Sequence, residues 1–281
     1  MLRNCVNRVC IKQSAIDGVG LIDANYGNFA FRRHYHLEYH IGLIMGGTQR
    51  YHCKGSQHHA SPGQLVIMPP DLIHDGQGVD NQGYATKVFT LSHQWLANSL
   101  GEITGQNELG FTQHLVDDPQ LYRGLSHAHH LLTDAKQPAL AHDCLPIEMI
   151  EQLVSRHGSM TPKRTATLGK RDLSEIRDYM LAHLDQPIRL ADLCQLCELT
   201  ETALTRTFKA TTGLPPYAWL TRLRLEKAME WLRTGRCVTS VAQLVGFYDQ
   251  AHFSRIFKQQ FGLTPGQVCG AHSGIRPSDC I

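Results

Sequence analysis

The feature that most constrains this chain is a repeat. Residues 193–209 read Leu-Cys-Gln-Leu-Cys-Glu-Leu-Thr-Glu-Thr-Ala-Leu-Thr-Arg-Thr-Phe-Lys, and residues 241–258 read Val-Ala-Gln-Leu-Val-Gly-Phe-Tyr-Asp-Gln-Ala-His-Phe-Ser-Arg-Ile-Phe-Lys. Arg206, Phe208, Lys209 and Gly213 recur 49 positions later as Arg255, Phe257, Lys258 and Gly262. Upstream, Leu193, Leu196 and Leu199 recur 48 positions later as Val241, Leu244 and Phe247, and Tyr248 absorbs the difference in a turn.

Each copy reads as a short apolar helix, a break and a second helix. Thr200 is positioned to cap a helix over 201–211 that Gly213 stops; Asp249 caps its counterpart and Gly262 stops it. Leu204 and Phe208, like Phe253 and Phe257, stand four residues apart and face a core. The opposite faces carry Thr202, Thr205, Arg206 and Lys209 in the first copy, and Gln250, Ser254, Arg255 and Lys258 in the second. Such a face suits a DNA major groove, where Arg and Gln read base edges and Lys meets phosphate. A single charged helix face is ordinarily just solvated; two copies with matched caps and arginines argue against that reading. Between them, residues 217–233 form an amphipathic helix able to hold two reading helices about one DNA turn, roughly 34 Å, apart.

The region from Arg171 to Cys269 resembles the DNA-binding domain of AraC-type bacterial transcription regulators. The resemblance rests on Leu193, Leu204, Arg206, Phe208, Lys209, Gly213, Pro216-Tyr217, Trp219-Leu220, Arg224-Leu225, Ala228, Gly246-Phe247, Phe253-Ser254-Arg255, Phe257-Lys258, Gly262 and Thr264-Pro265. It implies two helix-turn-helix units joined by a linking helix and bound to promoter DNA. Where the family continues to Tyr-Arg after the last proline, this chain has Val268-Cys269.

Charge is unevenly distributed. From Thr161 onward there are 16 Lys and Arg against 11 Asp and Glu; the preceding residues hold 11 against 14. This mild asymmetry fits a DNA-binding half beside a half with another task. Nine cysteines, an odd number, are scattered, no apolar segment opens the sequence as a signal peptide would, and no run matches a membrane span, so a reducing cytoplasm is expected. Cys194-x-x-Cys197 has half of a zinc or redox pattern, but it falls inside a short core helix, where cysteine serves as a small hydrophobe.

Residues 31–88 read as many short strands. Tyr39–Met45 is apolar up to Gly46-Gly47, Lys54-Gly55 signals a hairpin, Pro62-Gly63 a turn, and Leu65–Met68 a further strand. Helical stripes follow from Ser92, over 119–134 and over 142–157. The expectation is an α+β chain: a cupin-like β-barrel with packed helices at 1–157, a polar linker at 158–170, and an all-α domain with two helix-turn-helix units at 171–281. The stripes at 119–134 and 142–157 suggest a homodimer formed through them.

Seven of the 17 histidines lie between positions 34 and 74. His34 and His36 would share one strand face with Glu38 and His40, and His74 follows the next apolar strand. This pattern resembles the cupin barrel, whose motifs give His-x-His, an acid and a later His to a metal. More closely it resembles the sensor domain of AraC-type regulators. Three readings stay open: His34, His36, Glu38 and His74 line the mouth of an effector pocket; His34, His36 and His74 hold a divalent metal; or the histidines only satisfy one another and the backbone. The resemblance favours the pocket without metal. No nucleophile–base arrangement or phosphate-binding glycine motif is present, so no catalytic residues are assigned. The expected function is effector-controlled transcription regulation, with promoter DNA, a small molecule and RNA polymerase as partners. The alternative is a metal-dependent cupin enzyme fused to a DNA-binding domain.

Overall fold

The computed structural model describes residues 7–79, 83–107, 110–111 and 113–273, with the backbone alone at 270–273. The sequence also reads as a frayed tail after Gly270, and residues 274–281 of it lie outside the described residues. Two compact units emerge: one from residues within 1–137 and 145–164, the other from 138–144 and residues from 165 onward.

The first unit is built from ten strands: β1 (Arg8–Gln13), β2 (Val19–Tyr26), β3 (Phe31–His34), β4 (Tyr39–Gly47), β5 (Gln49–Cys53), β6 (Ser56–Ala60), β7 (Leu65–Met68), β8 (His74–Gly78), β9 (Tyr84–Leu91) and β10 (Leu115–Val116). They form a six-stranded sheet in the order β1-β2-β9-β4-β7-β10 and a four-stranded sheet in the order β3-β8-β5-β6. The period of two along β9 turns Tyr84, Thr86 and Val88 to one face and Phe89 and Leu91 to the other, and Tyr84, Thr86, Phe89 and Leu91 are all buried. Lys54 and Gly55 both have positive φ, as a two-residue hairpin turn between β5 and β6 requires. The apolar runs on either side of the Pro62-Gly63 turn lie side by side, since β4 pairs β7 with Ile41 opposite Ile67. Ile44, Tyr51, Cys53, Ala60, Val66, Met68 and Tyr84 form one buried cluster between the sheets.

Helices α1 (His93–Thr104), α2 (Pro119–Thr133) and α3 (Ala139–His157) follow. Ser92 and Asp118 cap α1 and α2 with side-chain oxygens. The apolar stripe of α2 is buried at Leu121, Leu125, Ala128 and Leu132, and its Tyr122 hydroxyl donates to the Ile44 carbonyl at 2.7 Å. Ile147, Ile150, Leu153 and Val154 of α3 are buried as well. The stripes that suggested a dimer are therefore covered within the chain.

The second unit holds α4 (Lys170–Ala182), α5 (Leu190–Cys197), α6 (Glu201–Thr212), α7 (Pro216–Arg233), α8 (Val238–Leu244), α9 (Gln250–Phe261) and α10 (Pro265–Ser273). Both repeats form as read. Thr200 accepts from the Ala203 N–H and Asp249 from the His252 N–H, while Gly213 and Gly262 end their helices with positive φ. Leu225, Ala228 and Leu232 of α7 pack with Val241, Ala242, Phe253 and Phe257. Cys194 and Cys197 lie half-buried in α5 and form no disulfide, and the Cys197 thiol lies 3.4 Å from the Leu193 carbonyl one turn back.

Candidate functional site

The barrel encloses a cavity of about 280 Å³. Its walls are mostly apolar: Val9, Ile11, Ile22, Phe31, Val66, Met68 and Val88 among them, with Tyr26, Gln49, Tyr84 and Thr86 adding polar groups. One end is lined by His34, His36, His40 and His74. Strand pairing brings His34 and His74 together, because they are direct partners across β3 and β8. Their rings lie 4.5 Å apart, and the His36 ring is 4.9 Å from each. His40 stacks on His36 at 3.7 Å.

Two of these rings have fixed tautomers. The Nδ1 atoms of His34 and His74 each lie 2.7 Å from a backbone carbonyl, of Arg32 and Leu72 respectively. A carbonyl only accepts, so each Nδ1 carries the proton and each Nε2 keeps a free lone pair. One ligating atom from each of His34, His36 and His74 falls within 4.8 Å of the others. Burial, with neighbouring histidines adding to it, pushes His36 down to about 3 and His40 to about 4. Burial also lowers His74. His36 and His40 are thus neutral at pH 7 and present lone pairs rather than positive charge.

Glu38 does not join it. The strand-alternation argument holds only inside a strand, and β3 ends at His34. Residues 35–38 bend away, and Glu38 lines a separate cleft with Ser92, Trp95 and Asn98. His36 reaches the cluster from that bend. The contribution of Val9 and Ile11 was not visible in the sequence, since nothing in residues 1–30 marks β1 as a cavity wall.

In the helical unit the two reading faces are differently exposed. On α9, Gln250, Arg255 and Lys258 are exposed and Ser254 half-buried. On α6, Thr202, Thr205 and Arg206 are 6%, 1% and 8% exposed, and Lys209 is half-buried. The expectation of an open face on α6 is therefore corrected: other residues lie over it. Arg224 of α7 is buried too; its Nη2 donates to the Gln186 carbonyl at 3.0 Å, and burial lowers it to about 10.

Comparison with known proteins accords with both halves. Residues 18–148 match the AraC-like ligand binding domain, and residues 193–270 a helix-turn-helix domain. The chain is 26% identical over 223 residues to the uncharacterized HTH-type transcriptional regulator YbfI of Bacillus subtilis, covering 79% of this chain and 81% of that one. It is 25% identical over 249 residues to the HTH-type transcriptional activator RhaS of Salmonella schwarzengrund, covering 85% and 87%. A solved structure of ToxT from Vibrio cholerae is similar at 13% identity and a TM-score of 0.38, over 91% of this chain and 97% of that one.

Proposed function

We propose, for a chain whose two halves match the AraC-like ligand binding domain and a helix-turn-helix domain, that it is an AraC-type transcription regulator in which Arg255, Lys258, Gln250 and Ser254 of α9, together with Thr202, Thr205, Arg206 and Lys209 of α6, read promoter DNA under control of a ligand held at His34, His36 and His74. The observation that carries this reading is the duplication itself. The same capped helix is built twice, and its second copy turns an arginine and a lysine to solvent beside Gln250. The chain acts by binding rather than by catalysis, in the cytoplasm where a promoter is reached; among the described residues no helix is long and apolar enough to cross a membrane. RNA polymerase is its further partner, and the working division is a sensor at 1–157, a linker at 158–170 and a DNA-binding domain from 171.

The cavity supports a ligand class. Its walls take an apolar body, and the free Nε2 lone pairs of His34 and His74 accept hydrogen bonds. A small, mostly apolar molecule with a hydroxyl or amine head fits both. A second reading is favoured by the fixed tautomers. Metal-bound histidines typically anchor the far ring nitrogen on a carbonyl, so His34, His36 and His74 would also suit a divalent ion that polarises such a head group.

A promoter reporter with the full chain tests this. His36→Ala and His74→Ala should abolish the response to inducer, while Arg255→Ala should cost about 1–3 kcal/mol in DNA affinity. If a chelator reproduces the histidine substitutions, the ligand is held through metal; if both histidine variants respond normally, the pocket assignment falls.

A further inference from the structure

The two helix-turn-helix units differ in how open their reading faces are. They share caps, core side chains and the Arg-x-Phe-Lys pattern, yet Arg255 is exposed where Arg206 is 8% exposed. The difference therefore lies in what covers α6. Residues 138–144, Pro138 and the first turns of α3, cluster with the helical unit. The Thr205 hydroxyl reaches Cys144 Sγ at 3.9 Å, and Leu140, Ala141 and Cys144 are fully buried. Asp143, with a side chain 3% exposed, clamps the start of α5. It accepts from Arg189 Nε at 2.9 Å and from the Leu190 N–H at 2.8 Å, and its other oxygen lies 2.7 Å from Arg189 Nη2.

We propose that the first turns of α3 are an intramolecular cover over the first reading helix, and that DNA binding through α6 requires residues 138–144 to lift away. The inference rests on the reading that Thr202, Thr205 and Arg206 face DNA. A side chain 1–8% exposed cannot meet a base edge. The covered face is also wrong for a permanent core. Apolar packing of this helix is supplied by Leu204 and Phe208, whereas the covered face carries two hydroxyls and a guanidinium. Two features suit the cover to removal. Part of its anchor is a polar clamp, Asp143 on Arg189 and the Leu190 N–H, beside the buried Leu140, Ala141 and Cys144. Pro146 stands inside α3 and has no N–H to bond the carbonyl of residue 142, which loosens the helix where the cover ends. Promoter DNA and the cover then compete for one surface, so DNA selects the uncovered form and any ligand that favours that form raises DNA affinity equally.

The test uses the full chain with Thr205→Cys, which sets a second thiol beside Cys144. After oxidation, with the cross-link between Cys144 and the introduced thiol verified by peptide mapping, the chain should lose footprint protection over the half-site read by α6 and bind the promoter at least about tenfold more weakly. Reduction should restore both. Independently, Asp143→Ala should raise promoter affinity without inducer by about tenfold, and adding Arg206→Ala should remove that gain, which mere loosening of the fold would not do. A cross-linked chain that binds and protects DNA like the reduced one, while Arg206→Ala still weakens the reduced chain, overturns the cover alone. If Arg206→Ala has no effect in any form, the assignment of α6 as a DNA-reading helix falls, and the cover with it.

Discussion

At the scale of single residues, the histidine cluster has a definite acid response. His36 and His40 are held at about 3 and about 4 in the folded chain, against an ordinary 6.5. Between those values the unfolded chain binds protons that the folded chain refuses. Stability contributed by the neutral cluster is therefore complete above about pH 6.5 and declines as pH falls toward 4. Thermal melts of the full chain should show the sensor transition dropping by several degrees from pH 7 to pH 5, and His36→Gln with His40→Asn should flatten that slope. An equally steep slope in the double variant would place the acid sensitivity elsewhere, His129 being the first candidate: burial on the inner face of α2 lowers it to about 4. The cluster was legible in the sequence because histidine is conspicuous and His34 and His74 sit in strands that pair, although His36 joins from the bend beyond β3. Glu38 was misplaced because that period stops where the backbone bends after His34, an event no side chain announces.

Elements were more legible than single side chains. Caps, stops and stripes are local, and Thr200, Asp249, Gly213 and Gly262 do what their chemistry dictates. The two turns differ in one respect. In the second helix-turn-helix the left-handed position is Gly246, with φ 71°, and a Cβ there would run into the Leu184 carbonyl and the Arg224 guanidinium. In the first helix-turn-helix the equivalent position is Glu198, at φ 54°. A side chain in that conformation is strained. Glu198→Gly should stabilise the helical unit by about 0.5–1 kcal/mol, and Gly246→Ala should destabilise it by more than that, both read from denaturant midpoints at unchanged slope. A Glu198→Gly variant no more stable than the parent would mean the turn relaxes around glutamate. Long-range burial was the illegible part of this scale. The stripes of α2 and α3 announce apolar surface without saying whether the chain itself or a second copy covers it, and here the chain covers it.

For the whole molecule, DNA binding should proceed in two stages with different electrostatics. Helix α7, 18 residues long, spans about 27 Å, enough to set two reading helices on one side of a duplex. With α6 covered, only α9 engages, so without inducer Arg255→Ala should cost about 1–3 kcal/mol while Arg206→Ala costs little. Once the first face opens, Lys209 and its neighbours join the complex and more counterions leave the DNA. The logarithm of affinity should then fall more steeply with the logarithm of salt, the slope growing by about 1–2, and Arg206→Ala should become as damaging as Arg255→Ala. Fluorescence anisotropy on promoter DNA across a salt series, with and without inducer, measures both quantities at once. Equal sensitivity to the two arginines in both states, with a single salt slope, would mean that the two helix-turn-helix units engage together from the outset and that control acts after DNA is bound.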